Sequence, residues 1–211
     1  MLDTTLHIEL LPEQQRTLFE ILAAQIWLEP FYLAGGTSLA LHIGHRQSID
    51  FDFFTRHDFR HRDVIESLQK IGTFELFSEA QNTINGMVND VRISFFQYRY
   101  PLVHDLHRYN QMAVADMLDI ALMKLEAISG RGSKKDFIDF YFLLQHFSLQ
   151  ALFKQYEAKY GIKVSNHYHL LKSLVYFEDA EPQPMPVMYT RISWKDVKER
   201  IILEVKQTKL F

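Results

Sequence analysis

Two aspartates separated by one residue are the feature of this sequence whose spacing points most directly to chemistry. Asp50 and Asp52 lie in the run Ile-Asp-Phe-Asp-Phe-Phe at 49–54, where polar and apolar residues alternate as in a strand with one buried face. Side chains two positions apart on a strand point to the same side, with Cα atoms about 6.6 Å apart. Two such carboxylates can converge on one divalent ion or bracket two ions, and hard oxygen ligands suit Mg²⁺ or Mn²⁺. The spacing therefore predicts a metal site formed by Asp50 and Asp52.

A glycine pair lies upstream of these aspartates. The run 31–34 predicts a short strand that leads into Gly35-Gly36, and residues 37–43 predict a helix. Glycines lack a Cβ and so allow a phosphate to approach the backbone, and the amide groups at the start of a helix favour an anion. The Gly-His-Arg run that follows would add donors near a nucleotide. The residues expected at this phosphate are Gly35, Gly36, Thr37, Ser38, His45 and Arg46.

Zinc binding is a competing interpretation of the same region. His42 and His45 could join the two aspartates in a metal-dependent hydrolase, although Gly44 interrupts the helix between the two histidines. The basic run at 56–62 also has two interpretations, the solvated start of a helix or a contact for an RNA phosphate backbone.

Further charged candidates lie in the second half of the chain. Lys124 interrupts an otherwise apolar helical run at 121–127, where a cation that faces the interior is unusual and a snorkelling surface lysine is the alternative. Arg131 follows seven residues later, close to two helical turns, and points the same way if the helix continues. Asp136 and Asp139 are three residues apart and share a helix face, and the ordinary roles of such acids are a favourable first-turn charge and a solvated carboxylate.

Together these motifs resemble the nucleotidyltransferase superfamily and, within it, the AbiEii/AbiGii toxin family. The resemblance covers most of residues 30–145. It rests on Gly35–Leu41, Gly44–Phe54, Lys124-Leu125, Arg131 and Lys135–Asp139.

The resemblance implies a fold, an activity and residue roles. The fold would be α+β (α/β), with a nucleotidyltransferase-like mixed sheet flanked by helices in residues 1–110 and a helical portion, 111–211, that completes the active site. The activity would be transfer of a nucleotidyl group from an NTP to an acceptor hydroxyl of tRNA or protein, with Mg²⁺ or Mn²⁺. Many members are toxins with a separately encoded antitoxin.

The resemblance also assigns individual residues. Asp50 and Asp52 would hold metal, and Lys124 would bind the triphosphate, with Arg131 beside the nucleotide. Asp136 would contact the active-site lysine or arginine or orient the acceptor, and Asp139 would tie its helix to the sheet. The catalytic residues implied in this way are Asp50, Asp52, Lys124 and Asp136.

One position departs from the superfamily pattern. A third metal-binding carboxylate is common on a later strand, where this chain has Ser94. Three interpretations remain: Asp90 substitutes, two carboxylates and water suffice, or the general base is missing. The last makes a non-catalytic nucleotide-binding or interaction module the principal alternative function.

Composition restricts the class of protein. The chain has 211 residues, of which 47% are hydrophobic, and its net charge is −3, so nucleic-acid contacts must come from local patches. It has no cysteine and no run of 18 apolar residues, and we expect no signal peptide. We expect a cytoplasmic protein without a membrane segment.

The pattern also predicts individual elements. A first helix is expected from Leu11 to Leu28, and a helix at 61–71 is expected to be capped by Asp58. A kink or turn is expected at Asn85-Gly86. Later helices are expected to begin at Asp116, Ser133, Ser148, His167 and Ser193, with an extended connector at 181–186.

Overall fold

The computed structural model of the protein describes residues 6–161 and 166–208. The chain divides into two units. The first, the sheet unit, runs to Pro101 and adds Asp105–Asp116, and the second, the helical unit, comprises Leu102–His104 and the chain from Met117 onward.

A seven-stranded mixed sheet is the frame of the sheet unit. The strands are β1 Tyr32–Ala34, β2 Phe51–Thr55, β3 Phe74–Ala80, β4 Thr83–Val88, β5 Val91–Gln97, β6 His107–Tyr109 and β7 Met112–Val114, in the spatial order β3-β4-β5-β2-β1-β7-β6. Strand β1 is antiparallel to β2 and parallel to β7, and β2 is parallel to β5. The helices of this unit are α1 Glu13–Ala23, α2 Gly35–Ile43 and α3 His61–Ile71. The observed architecture confirms the predicted α+β fold with a mixed sheet.

The two faces of the sheet differ, as the alternation in β2 predicts. Phe51 and Phe53 are fully buried in the hydrophobic core, whereas Asp52 and Phe54 point to the other face and are half-buried. The helix residues packed in the core cluster are Leu18, Phe19, Leu22 and Ala23 of α1, Leu41 of α2, and Val64 and Leu68 of α3. The core therefore anchors β2 and leaves Asp52 on the opposite face.

The predicted helix from Leu11 to Leu28 is too long, since α1 spans only Glu13–Ala23. Helix α1 ends at Ala23, and a separate 3₁₀ turn spans Ile26–Leu28. Gln25 adopts an extended backbone, and its side-chain amide donates to the carbonyl of Ile21, 3.0 Å away. This bond satisfies a carbonyl at the helix end and so favours termination there.

Two predicted local features also differ from the structure. Asn85 and Gly86 lie within β4, and the irregularity is a register shift on β3 between Leu76 and Ser78. A Cβ on Gly86 would lie 2.6 Å from the carbonyl oxygen of Glu75, so the glycine permits close strand packing and makes no turn.

Asp58 does not cap α3. Its carboxylate accepts hydrogen bonds from Gln97 at 2.6 Å and Arg99 at 3.2 Å, and Arg60 occupies the N-cap position. Both partners are distant in sequence, so a local capping rule could not identify them.

The helical unit contains α4 Met117–Gly130, α5 Lys134–Leu143, α6 Leu149–Tyr160, α7 His167–Leu174 and α8 Trp194–Gln207. Helix α4 contacts α5, α6 and α7, and α8 contacts α5 and α7. The Ser193 cap is confirmed: its hydroxyl accepts from the amide of Asp196, whose carboxylate bonds back to Ser193. No described helix combines the length and the apolar character that crossing a membrane requires.

The segment at 181–186 is attached to the start of α5. The ammonium group of buried Lys134 donates to the carbonyls of Glu181 and Gln183, and the Gln183 side chain accepts from the Lys134 amide at 2.9 Å. Glu181 and Pro182 form a turn, so only the later part of this segment is extended as predicted.

A buried ion pair joins α4 and α6. Asp119 and Lys159 are 2.5 Å apart, and both side chains have 0% exposure. Asp119 also accepts the amides of Val103 and His104 at 3.0 to 3.1 Å. The Asp119 carboxylate therefore links α4 and α6 to the segment 103–104, which precedes β6 in the chain.

We predict that Lys159→Met lowers the free energy of unfolding by about 3–5 kcal/mol, because the buried Asp119 carboxylate loses its counter-charge. Urea denaturation followed by circular dichroism measures the change. The control is Lys154→Met on the exposed face of the same helix, which should have little effect. Equal, small effects of both variants would contradict a structural role for the pair.

Candidate functional site

The predicted site residues form two groups, one in each unit. The sheet unit carries Gly35 to Ser38, His45, Arg46, Asp50 and Asp52, and the helical unit carries Lys124, Arg131 and Asp136.

Asp52 lies where β1 ends and α2 begins. It pairs with Ala34 of β1 on one side and with Ser94 of β5 on the other. A Cβ on Gly35 would lie 2.8 Å from the Asp52 carboxylate, and Gly35 has a φ of +75°. Both the space and the left-handed backbone require glycine here. Helix α2 begins at Gly35 itself, so its first turn lies against the Asp52 carboxylate.

Gly36 lies against a buried arginine. A Cβ at this position would be 2.5 Å from Nη2 of Arg46 and 3.1 Å from the hydroxyl of Ser48. Arg46 is 3% exposed and His45 is fully buried. The Arg46 guanidinium thus lies beside the positive end of the α2 dipole. Both groups are positive, and together they favour the binding of an anion at this point.

The side chains of Thr37 and Ser38 point into the protein. The Thr37 hydroxyl is 2.5 Å from the backbone oxygen of Asp50 and 3.0 Å from the Ser48 hydroxyl. A carbonyl only accepts, so Thr37 donates to Asp50 and the Ser48 hydroxyl donates to Thr37. Ser38 is fully buried. Thr37 therefore holds the loop before β2, and its hydroxyl is engaged within the protein.

Asp50 differs from Asp52 in its setting. Strand β2 begins at Phe51, so the expectation that both aspartates lie on one strand is wrong for Asp50. Asp50 is positioned by the hydrogen bond that its carbonyl accepts from Thr37, and not by pairing with a neighbouring strand. Ser48 is a positioning residue that sequence reasoning missed, although it lies inside the family motif.

Ser94, and not Asp90, adjoins Asp52. The β2–β5 register pairs Ser94 directly with Asp52. Asp90 lies in the turn before β5 with a φ of +63°, four residues or about 13 Å along the strand from Ser94. Substitution of the third carboxylate by Asp90 is therefore ruled out by distance.

The histidines do not form a zinc site. Among the residues that the structure describes, no three His, Cys, Asp or Glu side chains gather as metal ligands. His42 donates through Nε2 to the carbonyl of Ala115, 2.8 Å away, since that oxygen can only accept. Burial lowers the pKa of His42, which keeps the ring neutral. The zinc-hydrolase interpretation is wrong for this arrangement.

The basic run after β2 is largely paired with acids. Arg60 lies 2.7 Å from Asp63, and Arg62 lies 2.6 Å from Glu66. These exposed pairs contribute little stability, but each places a carboxylate beside its arginine. The solvated helix start is the better interpretation of this run.

Lys124 is a buried member of an ion-pair network. Its ammonium nitrogen lies 2.9 Å from Asp136 and 2.6 Å from Asp139, and its side chain is 8% exposed while both carboxylates are at 0%. The snorkelling alternative is therefore wrong. Asp139, predicted to tie its helix to the sheet, pairs with Lys124 of α4.

Arg131 reaches the same carboxylate from the loop after α4. Its Nε lies 3.3 Å from Asp136, and the Ser133 hydroxyl donates to the same carboxylate oxygen at 2.5 Å. Burial opposes ionisation of Asp136, but the charges of Lys124 and Arg131 and the Ser133 hydroxyl together hold its pKa below the ordinary value. The sequence predicted Ser133 only as the start of α5. The structure adds its hydrogen bond to Asp136, which the sequence did not indicate.

We predict that Thr37→Val lowers the free energy of unfolding by about 1–3 kcal/mol, because the Asp50 carbonyl and the Ser48 hydroxyl lose their buried partner. Thr37→Ser keeps the hydroxyl and is the matched control. Thermal and urea unfolding measure both variants, and equal stability of Thr37→Val and wild type would refute the positioning role.

Comparisons with known proteins identify a family and one similar protein. Residues 16–113 match the family model described as nucleotidyl transferase AbiEii toxin, of a type IV toxin–antitoxin system. The chain is 36% identical over 206 residues to the uncharacterized protein aq_aa25 of Aquifex aeolicus (strain VF5), covering 93% of this chain and 97% of that protein.

Two solved structures show the same fold at low sequence identity. MenT4, the nucleotidyltransferase toxin Rv2826c of Mycobacterium tuberculosis H37Rv, has a TM-score of 0.61 at 14% identity, with 94% of this chain and 87% of that chain covered. JHP933 of Helicobacter pylori has a TM-score of 0.54 at 17% identity, with 93% and 92% covered. With the glycine pair and Asp52 in the matched region, these findings show that the chain belongs to the AbiEii nucleotidyltransferase toxin family.

Proposed function

We propose that the chain transfers a nucleotidyl group from an NTP to an acceptor hydroxyl of tRNA or protein, as the toxin of a toxin–antitoxin pair. The observation that carries this proposal is the contact between the start of α2 and the Asp52 carboxylate, with Arg46 beside Gly36. An acid that would bind metal and a helix start that would favour an anion then lie together, which supports nucleotidyl transfer.

The acids of the sheet unit suit Mg²⁺ or Mn²⁺. Asp50 and Asp52 offer only oxygen ligands, and both residues are half-buried. Asp50 and Asp52 would hold the ion, which when bound neutralises triphosphate charge and lowers the pKa of an attacking hydroxyl.

The chain's own groups would orient the nucleotide. The backbone at Gly35, Gly36 and Thr37 would receive a phosphate, with Arg46 as its nearest cation. In the helical unit, Lys124 would act indirectly, because its ammonium group is occupied by Asp136 and Asp139 and so fixes the carboxylate that Arg131 contacts. Arg131 is 70% exposed and commits only Nε to Asp136, so its other nitrogens suit a phosphate.

A non-catalytic module remains the second candidate function, and Ser94 is the observation that favours it. The position beside Asp52 carries a hydroxyl, so two carboxylates are available there where other superfamily members use three. Under either function, we expect the antitoxin to be a separate protein, because the chain belongs to a toxin–antitoxin family.

We predict that Asp52→Asn reduces label transfer from NTP to acceptor by on the order of 10²-fold or more, because a ligand charge is lost without a change in side-chain shape. The assay combines each labelled NTP with Mg²⁺ and total tRNA, and a protein acceptor fraction in parallel. Asp58→Asn, an exposed acid of the same unit, is the control and should retain transfer. Wild-type turnover by folded Asp52→Asn would refute the metal assignment.

We predict that Ser94→Asp lowers the Mg²⁺ concentration needed for half-maximal NTP binding, because it adds a carboxylate beside Asp52. Isothermal titration of Mg²⁺ and NTP measures the shift. Gln81→Asp adds the same charge in the exposed β3–β4 turn and should leave the Mg²⁺ requirement unchanged. Tighter Mg²⁺ binding without any transfer by either chain would favour the non-catalytic module.

A further inference from the structure

Arg92 is a basic residue on the open face of the sheet, the face to which Asp52 points. Burial alternates along β5, where the odd-numbered residues Val91, Ile93 and Phe95 are buried in the core. Arg92 is exposed and Ser94 is half-buried, so both side chains point to the open face. Arg92 is also the only lysine or arginine in strands β1 to β5 as the structure defines them.

The strand register places Arg92 close to the acids proposed to bind metal. Ser94 pairs with Asp52, and Arg92 lies two residues before Ser94 on the same strand. From the spacing between strands and the rise along them, the Cα atoms of Arg92 and Asp52 lie about 8 Å apart. An arginine side chain is long enough to reach a ligand held at Asp52.

The guanidinium group of Arg92 has no partner in the protein. Within residues 6–161 and 166–208, its side chain forms no hydrogen bond and no ion pair. Its neighbour on β4 is the apolar Met87, and Glu75 lies one strand further away, about 10 Å from Arg92 between Cα atoms. Because position 94 carries a hydroxyl, the open face also lacks an acid two residues along β5 that could pair with Arg92.

A role in protecting a sheet edge does not explain this arginine. Charged side chains on edge strands hinder pairing with other chains, but β5 lies between β4 and β2 in the interior of the sheet. An exposed and unpaired cation in this position is therefore available to a ligand.

Arg92 and the start of α2 approach Asp52 from opposite sides. Asp52 pairs with Ala34 of β1, which leads directly into Gly35, and on its other side it pairs with Ser94 of β5. In nucleotidyl transfer the attacking and leaving oxygens lie roughly in line, with the transferred phosphorus between them. If the leaving phosphates lie at the start of α2, the transferred phosphate lies between that point and Arg92.

We propose that Arg92 is a catalytic residue that binds the α-phosphate of the NTP. The acceptor oxygen forms a bond to the α-phosphorus, the bond from that phosphorus to the bridging oxygen of pyrophosphate breaks, and the hydroxyl proton passes to solvent. The planar guanidinium group would donate to the non-bridging oxygens, whose charge it neutralises during transfer. The inference rests on the proposed function, because the α-phosphate is the group that is transferred.

The test is isothermal titration of wild type and Arg92→Met, with Mg²⁺, against three kinds of ligand. They are the four α,β-methylene nucleoside triphosphates, which cannot be transferred, the four nucleoside monophosphates, and pyrophosphate. Arg92→Met should weaken triphosphate and monophosphate binding by the same factor, about tenfold or more, because both ligands contain the α-phosphate. It should leave pyrophosphate affinity unchanged. An equal loss of pyrophosphate affinity would overturn the assignment to the α-phosphate.

Two variants serve as controls. Arg56→Met removes another exposed arginine of the sheet unit, beyond the far end of β2, and should leave all three affinities unchanged. Arg92→Lys keeps the charge but loses the paired donors, so its monophosphate affinity should lie between those of wild type and Arg92→Met. Thermal unfolding of each variant excludes loss of fold as the cause of weaker binding.

The outcome is separable from that of the proposed function. Monophosphate affinity that depends on Arg92, in a chain that transfers no label to any acceptor, would support the phosphate contact and refute transfer. Wild-type monophosphate affinity together with wild-type transfer in folded Arg92→Met would overturn the role of Arg92 and leave transfer intact.

Discussion

Pairing of buried charges is the constraint on which the helical unit depends. Asp136 and Asp139 are completely buried, and a carboxylate removed from water without a counter-charge destabilises a fold by several kcal/mol. Lys124 of α4 lies between them, and Arg131 adds a second cation at the surface end of the network. The positions of α4 and α5 are thus set by charge balance as well as by apolar packing. Asp119 and Lys159 apply the same rule between α4 and α6.

In the sheet unit the corresponding constraint is steric. The carboxylate of Asp52 and the guanidinium of Arg46 occupy the volume that side chains at Gly35 and Gly36 would fill. The glycine pair therefore has two roles, exposing the start of α2 to a ligand and allowing two charged groups to approach that start. Thr37 extends the arrangement by bonding the loop that carries Asp50. A short segment of chain consequently determines the position of every acid proposed to bind metal.

Charge distribution distinguishes the surfaces that could contact a nucleic acid. The basic run after β2 is rich in arginine, yet Arg60 and Arg62 each have a carboxylate neighbour. Lys172 has no carboxylate partner among the described residues, but Glu178 and Asp179 lie close enough to the neighbouring Tyr176 to raise the pKa of its hydroxyl. Because a protein with a net charge of −3 attracts polyanions only through local patches, unpaired cations matter more than the number of arginines.

Sequence by itself determined what depends on neighbours along the chain. Alternation in 49–54 identified the buried and open faces of β2, the glycine pair marked the strand-to-helix transition, and Ser193 marked the start of α8. Only the tertiary structure showed that Ser94 adjoins Asp52, that Asp90 is remote, and that Asp136 and Asp139 share Lys124. Strand register and helix packing are set by contacts between distant residues, which no local pattern contains. The cap predicted at Asp58 was wrong for the same reason, because the partners of its carboxylate, Gln97 and Arg99, are distant in sequence.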